Sequence, residues 1–184
     1  MIDILINNAG IGEFGFFYQT DWHKEEEMIN TNVIALTSFC KLFGKDMVAR
    51  KRGRILNLAS TAAFQPGPLM AVYYATKAYV LSFSEAIANE FKDTGVTVTA
   101  LCPGPTATDF HDRAGMLKSK LVAGRKIASA RDVAWYGYRA MMKGATVAIP
   151  GLKNRLLVLS SRFSPRAVVT AVVRKMQEER KGLI

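Results

Sequence analysis

Four short strand-like runs constrain this chain more than any other feature: 3–6, 54–59, 96–101 and 146–149. Turn-forming residues follow closely: Asn7-Asn8-Ala9-Gly10 after the first, Pro103-Gly104-Pro105 after the third, Pro150-Gly151 after the fourth. Each gap between runs is long enough for a helix. Short apolar strands alternating with helices read as a parallel sheet covered on both faces. The expected fold is α/β, a doubly wound parallel sheet of about four strands with flanking helices. The 184 residues carry no internal repeat, low-complexity tract or linker, so one compact unit is expected.

The helices are legible to different degrees. Residues 22–50 read as one helix, capped by Thr20 or Asp21, with Glu25, Glu26 and Glu27 at its positive end. Its apolar stripe is Met28, Leu36, Phe39, Phe43 and Met47, and Asn32 falls on it. A buried amide must find partners, so Asn32 is either a bridging residue or a functional one. A second helix is expected over roughly 70–92, stopped by Gly95, and a third over 131–143. Ser164-Pro165 reads as the start of a last helix running to about 180, with Val168, Val172 and Met176 facing inward. Residues 109–128 are irregular, as a mobile loop or short helices would be.

Gly10-Ile11-Gly12-Glu13-Phe14-Gly15 spells the dinucleotide fingerprint G-x-G-x-x-G. We read it as fortuitous. The fingerprint works when a helix starts within the glycine turn, and here helical periodicity begins only after Thr20 or Asp21.

Tyr73 and Lys77 are four residues apart and therefore adjacent on a helix face. Such a pair is common by chance, and its neighbours decide its meaning. Ser60 closes the second strand thirteen positions earlier. A phenol near an ammonium has a lowered pKa, and a serine hydroxyl aimed at the same point can hold a carbonyl oxygen. That is a general acid/base site for a carbonyl/alcohol pair.

Composition excludes more than it identifies. With 49% hydrophobic and 22% charged residues the chain is globular. No apolar run approaches the roughly 20 residues of a membrane-spanning helix. Cys40 and Cys102 have no metal-like spacing and are expected as reduced thiols in the cytoplasm; His23 and His111 are isolated, and no metal site is expected. The net charge of +10 is uneven. Residues 1–110 carry 9 Lys/Arg against 11 Asp/Glu, and residues 111–184 carry 16 against 4. A solvated basic surface without nucleic-acid binding is expected there.

These signals together resemble the short-chain dehydrogenase/reductase family over nearly the whole chain. Asn7-Asn8-Ala9-Gly10 is similar to the family's turn after its fourth strand, and Asn32 matches its helix-borne catalytic Asn. Ser60 and Tyr73-x-x-x-Lys77 have the family's spacing, and Pro103-Gly104 with Thr106 and Thr108 resembles its cofactor turn. The resemblance implies a Rossmann-like fold and NAD(P)-dependent interconversion of a carbonyl and an alcohol, with NADP slightly favoured. It implies Asn32, Ser60, Tyr73 and Lys77 as catalytic residues. It also implies Asn7, Asn8, Ala9, Gly10, Tyr73, Lys77, Pro103, Gly104, Thr106 and Thr108 as cofactor contacts. A small-molecule substrate under a lid over 109–128 follows, and a homo-oligomer through the Tyr73/Lys77 helix and the helix before it. The family's glycine-rich nucleotide turn precedes anything in this sequence, so 1–184 is expected to be the C-terminal portion of an NAD(P)-binding domain. The alternative is an inactive relative serving as an interaction module through its basic C-terminal half.

Overall fold

A computed structural model describes residues 2–117, 119–123 and 127–178. Along the chain run β1 (Ile4–Asn7), α1 (Trp22–Ile29), a π-helical turn (Asn30–Ala35), α2 (Leu36–Ala49), β2 (Gly53–Leu58), a 3-10 turn (Thr61–Phe64), α3 (Ala71–Glu90), β3 (Val96–Leu101), β4 (Thr106–Ala107), α4 (Phe110–Arg113), β5 (Ala128–Ser129), α5 (Ala130–Met142), β6 (Val147–Ala148), α6 (Leu152–Phe163) and α7 (Arg166–Gln177). The four expected strands form one parallel sheet in the order β1-β2-β3-β6. β4 and β5 pair separately, two residues each.

The strand period of two sorts side chains onto the two faces. Ile55 and Ala59 of the β2 region, with Val96, Val98 and Ala100, meet Leu36, Cys40, Met47, Val80 and Leu81 from α2 and α3. Leu56 and Leu101 point the other way, onto Val133 and Met141 of α5 and Ala148. The fold is thus Rossmann-like α/β, with helices on both faces. Fully burying one such side chain is worth about 1.5–3 kcal/mol, so these two layers carry the stability.

A buried polar chain crosses the first layer. Asn7 Nδ2 donates to Asn57 Oδ1 at 2.8 Å, and Asn57 Nδ2 donates to Ser84 Oγ at 2.9 Å. Ser84 Oγ in turn donates to Val80 O at 2.6 Å, and Asn7 also reaches Cys40 Sγ at 3.3 Å. Every amide there is partnered, which is what burial demands.

The structure departs from the sequence reading in several places. The helix over 22–50 is interrupted by the π turn at Asn32. Asp21, not Thr20, caps it, accepting from His23 N at 3.0 Å; Thr20 Oγ1 instead donates to the buried Glu25 at 2.7 Å. The π turn rotates the stripe, so Phe39 faces solvent and Cys40 and Gly44 face the core. α6 was not expected as a helix. Pro165, not Ser164, stands at the N-cap of α7, while Ser164 Oγ donates back to Ser160 O of α6. Val168 and Val172 face outward, and Val173 and Gln177 are the buried positions. Of the irregular stretch 109–128, α4 and some turns are described; 118 and 124–126, like the expected helix end beyond 178, lie outside the described residues.

The α3–β3 connection turns on Gly95, at φ +81, where a Cβ would meet the Lys51 carbonyl oxygen. Gly95→Ala therefore combines a left-handed backbone with a backbone clash. Urea unfolding should show a loss of at least about 2 kcal/mol. A loss below about half that would mean that the turn relaxes freely.

Candidate active site

Because all four strands are parallel, Asn7, Leu58, Leu101 and Ala148 end at one edge of the sheet. The segments that follow them gather there, as in other open α/β sheets. They border a cleft of about 650 Å³. Ser60, Tyr73 and Lys77 line it, as do Asn8, Gly10, Pro103, Gly104, Thr106 and Thr108.

Lys77, on α3, reaches across the sheet edge. Its Nζ donates to Leu58 O, the last residue of β2, at 2.7 Å, and stands 5.8 Å from the Tyr73 ring centroid. Ser60 lies two residues beyond Leu58, where its Oγ accepts from Ala62 N at 3.1 Å and donates to Pro103 O at 3.4 Å. The 3-10 turn at Thr61–Phe64 begins on that cap. Tyr73 packs its ring on Phe110 at 5.2 Å between centroids.

Asn32 sits behind these residues, 1% exposed. Its Oδ1 accepts from Ile11 N at 3.0 Å, and its Nδ2 donates to Ile11 O at 2.9 Å and Thr76 Oγ1 at 3.1 Å. A Cβ on Gly10 would stand 3.3 Å from both Asn32 Oδ1 and Lys77 Nζ. Gly10 thus keeps the space between the amide and the ammonium open. A Cβ on Gly12 would come within 2.7 Å of the Phe110 ring, so this glycine serves packing. The first helix after the glycines starts only at Trp22, which bears out the fortuitous reading of Gly10–Gly15.

Among the cofactor candidates, Asn8, Gly10 and the 103–108 residues face the cleft. The Asn7 side chain is turned inward to Asn57 and Cys40, and Ala9 does not line the cleft. Gly104 is pressed against Asn154 of α6, where a Cβ would lie 2.8 Å from Oδ1, so α6 backs the turn that starts at Pro103.

Burial governs the charges. It pushes the Tyr73 phenol above its ordinary value, with the nearby Ser60 hydroxyl as the opposing pull. The sequence reading expected Lys77 to lower this pKa; here desolvation outweighs any such effect. Lys77 itself is lowered by burial, from 10.5 to about 8. Burial also raises Tyr74 to about 12, opposed by its bond from Gln177.

Sequence reasoning missed several contributors. The Leu58 carbonyl and Thr76 hold Lys77 and Asn32, and the only clue was Thr76 lying beside Lys77. Gln177, of α7, donates to the Tyr74 phenolic Oη at 2.7 Å and, with Met116 and His111, lines the cleft. No local pattern announces a contact between residues 103 positions apart.

The Lys77 shift has a definite sign. Below pH 8 the ammonium is charged in both folded and unfolded chains, and its desolvation cost is fully present. Between about pH 8 and 10.5 the unfolded chain binds more protons, so this group's contribution to stability rises with pH. Lys77→Met removes that dependence. The stability difference between wild type and variant should move in favour of wild type by about 3 kcal/mol across this window. Urea unfolding at stepped pH reads it directly. A flat difference would mean that Lys77 has an ordinary pKa.

The short chain dehydrogenase family matches residues 1–116. Ketoacyl reductase HetN of Nostoc sp. is 34% identical over 154 residues, covering 84% of this chain and 49% of its own length. The 17-beta-hydroxysteroid dehydrogenase type 3 of Mus musculus is 34% identical over 109 residues, 58% of this chain and 36% of its own. The chain spans about half the length, or less, of these curated relatives. Among solved structures, the short-chain dehydrogenase from Sphingobium yanoikuyae in complex with NADPH matches all of this chain and 68% of its own, with TM-score 0.75 and 28% identity. The bulky-bulky ketone specific alcohol dehydrogenase from Comamonas testosteroni also matches all of it and 66% of its own, with TM-score 0.72 and 26% identity. With residues 1–116, more than half of its length, matched by the family model, the chain belongs to the short chain dehydrogenase family.

Proposed function

We propose that the protein interconverts a carbonyl and an alcohol on a small-molecule substrate, using NAD or NADP. The observation that carries this reading is the meeting of Ser60, Tyr73 and Lys77 on one cleft, with Gly10 and the 103–108 turn beside them. The fit to a nicotinamide nucleotide rests on that donor set. Gly10 leaves room beside Lys77, and Thr106 and Thr108 present hydroxyls on a turn braced by Asn154. When bound, the nucleotide supplies or accepts the hydride. NADP is favoured slightly, since the Sphingobium relative is in complex with NADPH.

Ser60 Oγ accepts from Ala62 N, which leaves its own proton free to move from Pro103 O to a substrate carbonyl. Tyr73 is protonated at neutral pH, as any ordinary phenol is, and burial raises its pKa further, so it carries the proton to be donated to a forming alkoxide. Lys77 stabilises the phenolate left behind, anchored by Leu58 O. Asn32 positions the Ile11 backbone and Thr76 behind Lys77, and we assign it to the proton path from Lys77. The segment from 109 covers the substrate side, with Phe110 on Tyr73.

The same reading places the protein in the cytoplasm, where the buried free thiols Cys40 and Cys102 stay reduced. It also gives a homodimer through α2 and α3. Phe39, Leu42 and Tyr79 are exposed there, and Tyr79 is tied to Thr37 at 2.9 Å. An apolar face of this kind on two neighbouring helices suits a two-fold interface.

In NAD(P)H-dependent reduction of a ketone panel, Tyr73→Phe should lower kcat by at least about a hundredfold and leave cofactor affinity within about twofold. Retention of more than about a tenth of the activity removes Tyr73 from proton donation. Asn32→Ala should lower kcat and displace the pH–rate profile; a drop in Tm alone would make Asn32 purely structural. Leu42→Glu should convert a dimer to a monomer in analytical ultracentrifugation, and a wild-type monomer would refute the interface.

A further inference from the structure

α6 has an outer face that the proposed chemistry does not use. Leu152, Leu156, Leu159 and Phe163 recur at helical spacing, and all are exposed, Leu152 at 71% and Phe163 at 83%. Val168 and Val172 are exposed as well, on α7, the next helix in the chain. Only Val158 of α6 is buried, so the helix lies on the molecule by one thin edge. Water-facing leucines at i, i+4 and i+7 on one helix are not the scattered exposure normal for a globular surface.

Charge is the second, independent observation. From Val133 to Gln177 there are eight Lys or Arg and no Asp or Glu. Arg155 is engaged, donating to Ile149 O at 3.0 Å and to the Tyr136 phenolic Oη at 2.7 Å. Lys153, Arg162, Arg166 and Lys175 are exposed, and among the described residues none of them makes an ion pair. Lys153 and Arg162 flank the leucine stripe from opposite sides, about 100° and 80° around the helix from Leu152. Long basic side chains at such positions can extend sideways while the apolar stripe sinks.

We infer that the outer face of α6 is a docking surface for an anionic lipid bilayer, lying in its interface. An apolar stripe of Leu and Phe flanked by Lys and Arg is the composition of an interfacial helix. Spanning is excluded for the described residues, none of whose helices is long and apolar enough to cross a membrane. A second copy is a poorer occupant, because a two-fold contact would set this basic face against itself. Nucleic acid would engage the basic residues and leave four large apolar side chains without a partner.

The test is co-sedimentation of the full chain with phosphatidylcholine vesicles, with and without one third phosphatidylglycerol. At about 0.1 M salt the protein should pellet with the anionic vesicles, and partitioning should weaken at about 0.5 M. Leu156→Glu and Leu159→Glu should each weaken binding at least about tenfold. Arg162→Gln should weaken it about fivefold. All three side chains are exposed, so circular dichroism and Tm should match wild type. Wild-type protein left in the supernatant, or equal binding to both vesicles, overturns the inference. So does a dimer that Leu159→Glu dissolves while wild type ignores vesicles.

Discussion

The hydrogen bond from Lys77 to the Leu58 carbonyl is the contact on which the site depends. An ammonium taken out of water costs several kcal/mol unless it is well partnered, and here its partner is the last residue of a central strand. That bond ties α3 to the end of β2, beside the packing of Val80 and Leu81 on the sheet. With α3 so placed, Tyr73, one helical turn earlier, is brought beside Ser60, two residues beyond the strand. The depressed Lys77 pKa is the thermodynamic trace of this arrangement.

The π turn plays the matching role on the other side of Lys77. A π segment inserts one extra residue into the helix and alters which side chains face the sheet. Asn32 lands there and uses both ends of its amide, clamping the Ile11 backbone to Thr76. The segment after β1 has no regular structure of its own until Trp22, so this clamp is what holds Gly10 to Gly12 against α3. Deeper in the layer, the chain from Asn7 through Asn57 to Ser84 ties the end of β1 to β2 and α3. The apolar layers supply stability without specifying position; these satisfied amides supply position.

How much of this was written in the sequence depends on whether the signal is local. The strands at 3–6 and 96–101 and the helix bearing Tyr73 and Lys77 could be read because apolar period and Gly or Pro punctuation agree there. Ser60, Tyr73 and Lys77 could be placed near one another because strand end and helix start are both local features. The π turn could not, since its six residues are as compatible with an α-helix. The partners of Asn32 lie 21 and 44 residues away, and nothing in the spacing of a motif encodes such distances. α6 escaped for a different reason. Its apolar residues have helical spacing, but the stripe faces away from the core, so it matches no expectation built on burial.

α7 shows the same physics at the scale of one residue. Val168, Val169, Val172 and Val173 offer two adjacent apolar stripes, and periodicity cannot choose between them. The choice is made at Gln177, which is 1% exposed and must satisfy its amide. It does so by donating to Tyr74 Oη and accepting from Ser119 Oγ at 3.4 Å, and Lys120 joins Glu178 at 3.0 Å just beyond. Val169 and Val173 pack in one cluster with Met70, Tyr74 and Met116, which line the cleft. Val168 and Val172 are thereby left in water, as are Phe163 and the exposed leucines of α6. A buried polar anchor has thus set which apolar face is spent on the site and which remains outside. An outer face that is both apolar and uniformly basic gains from an anionic lipid surface what it cannot gain from the core.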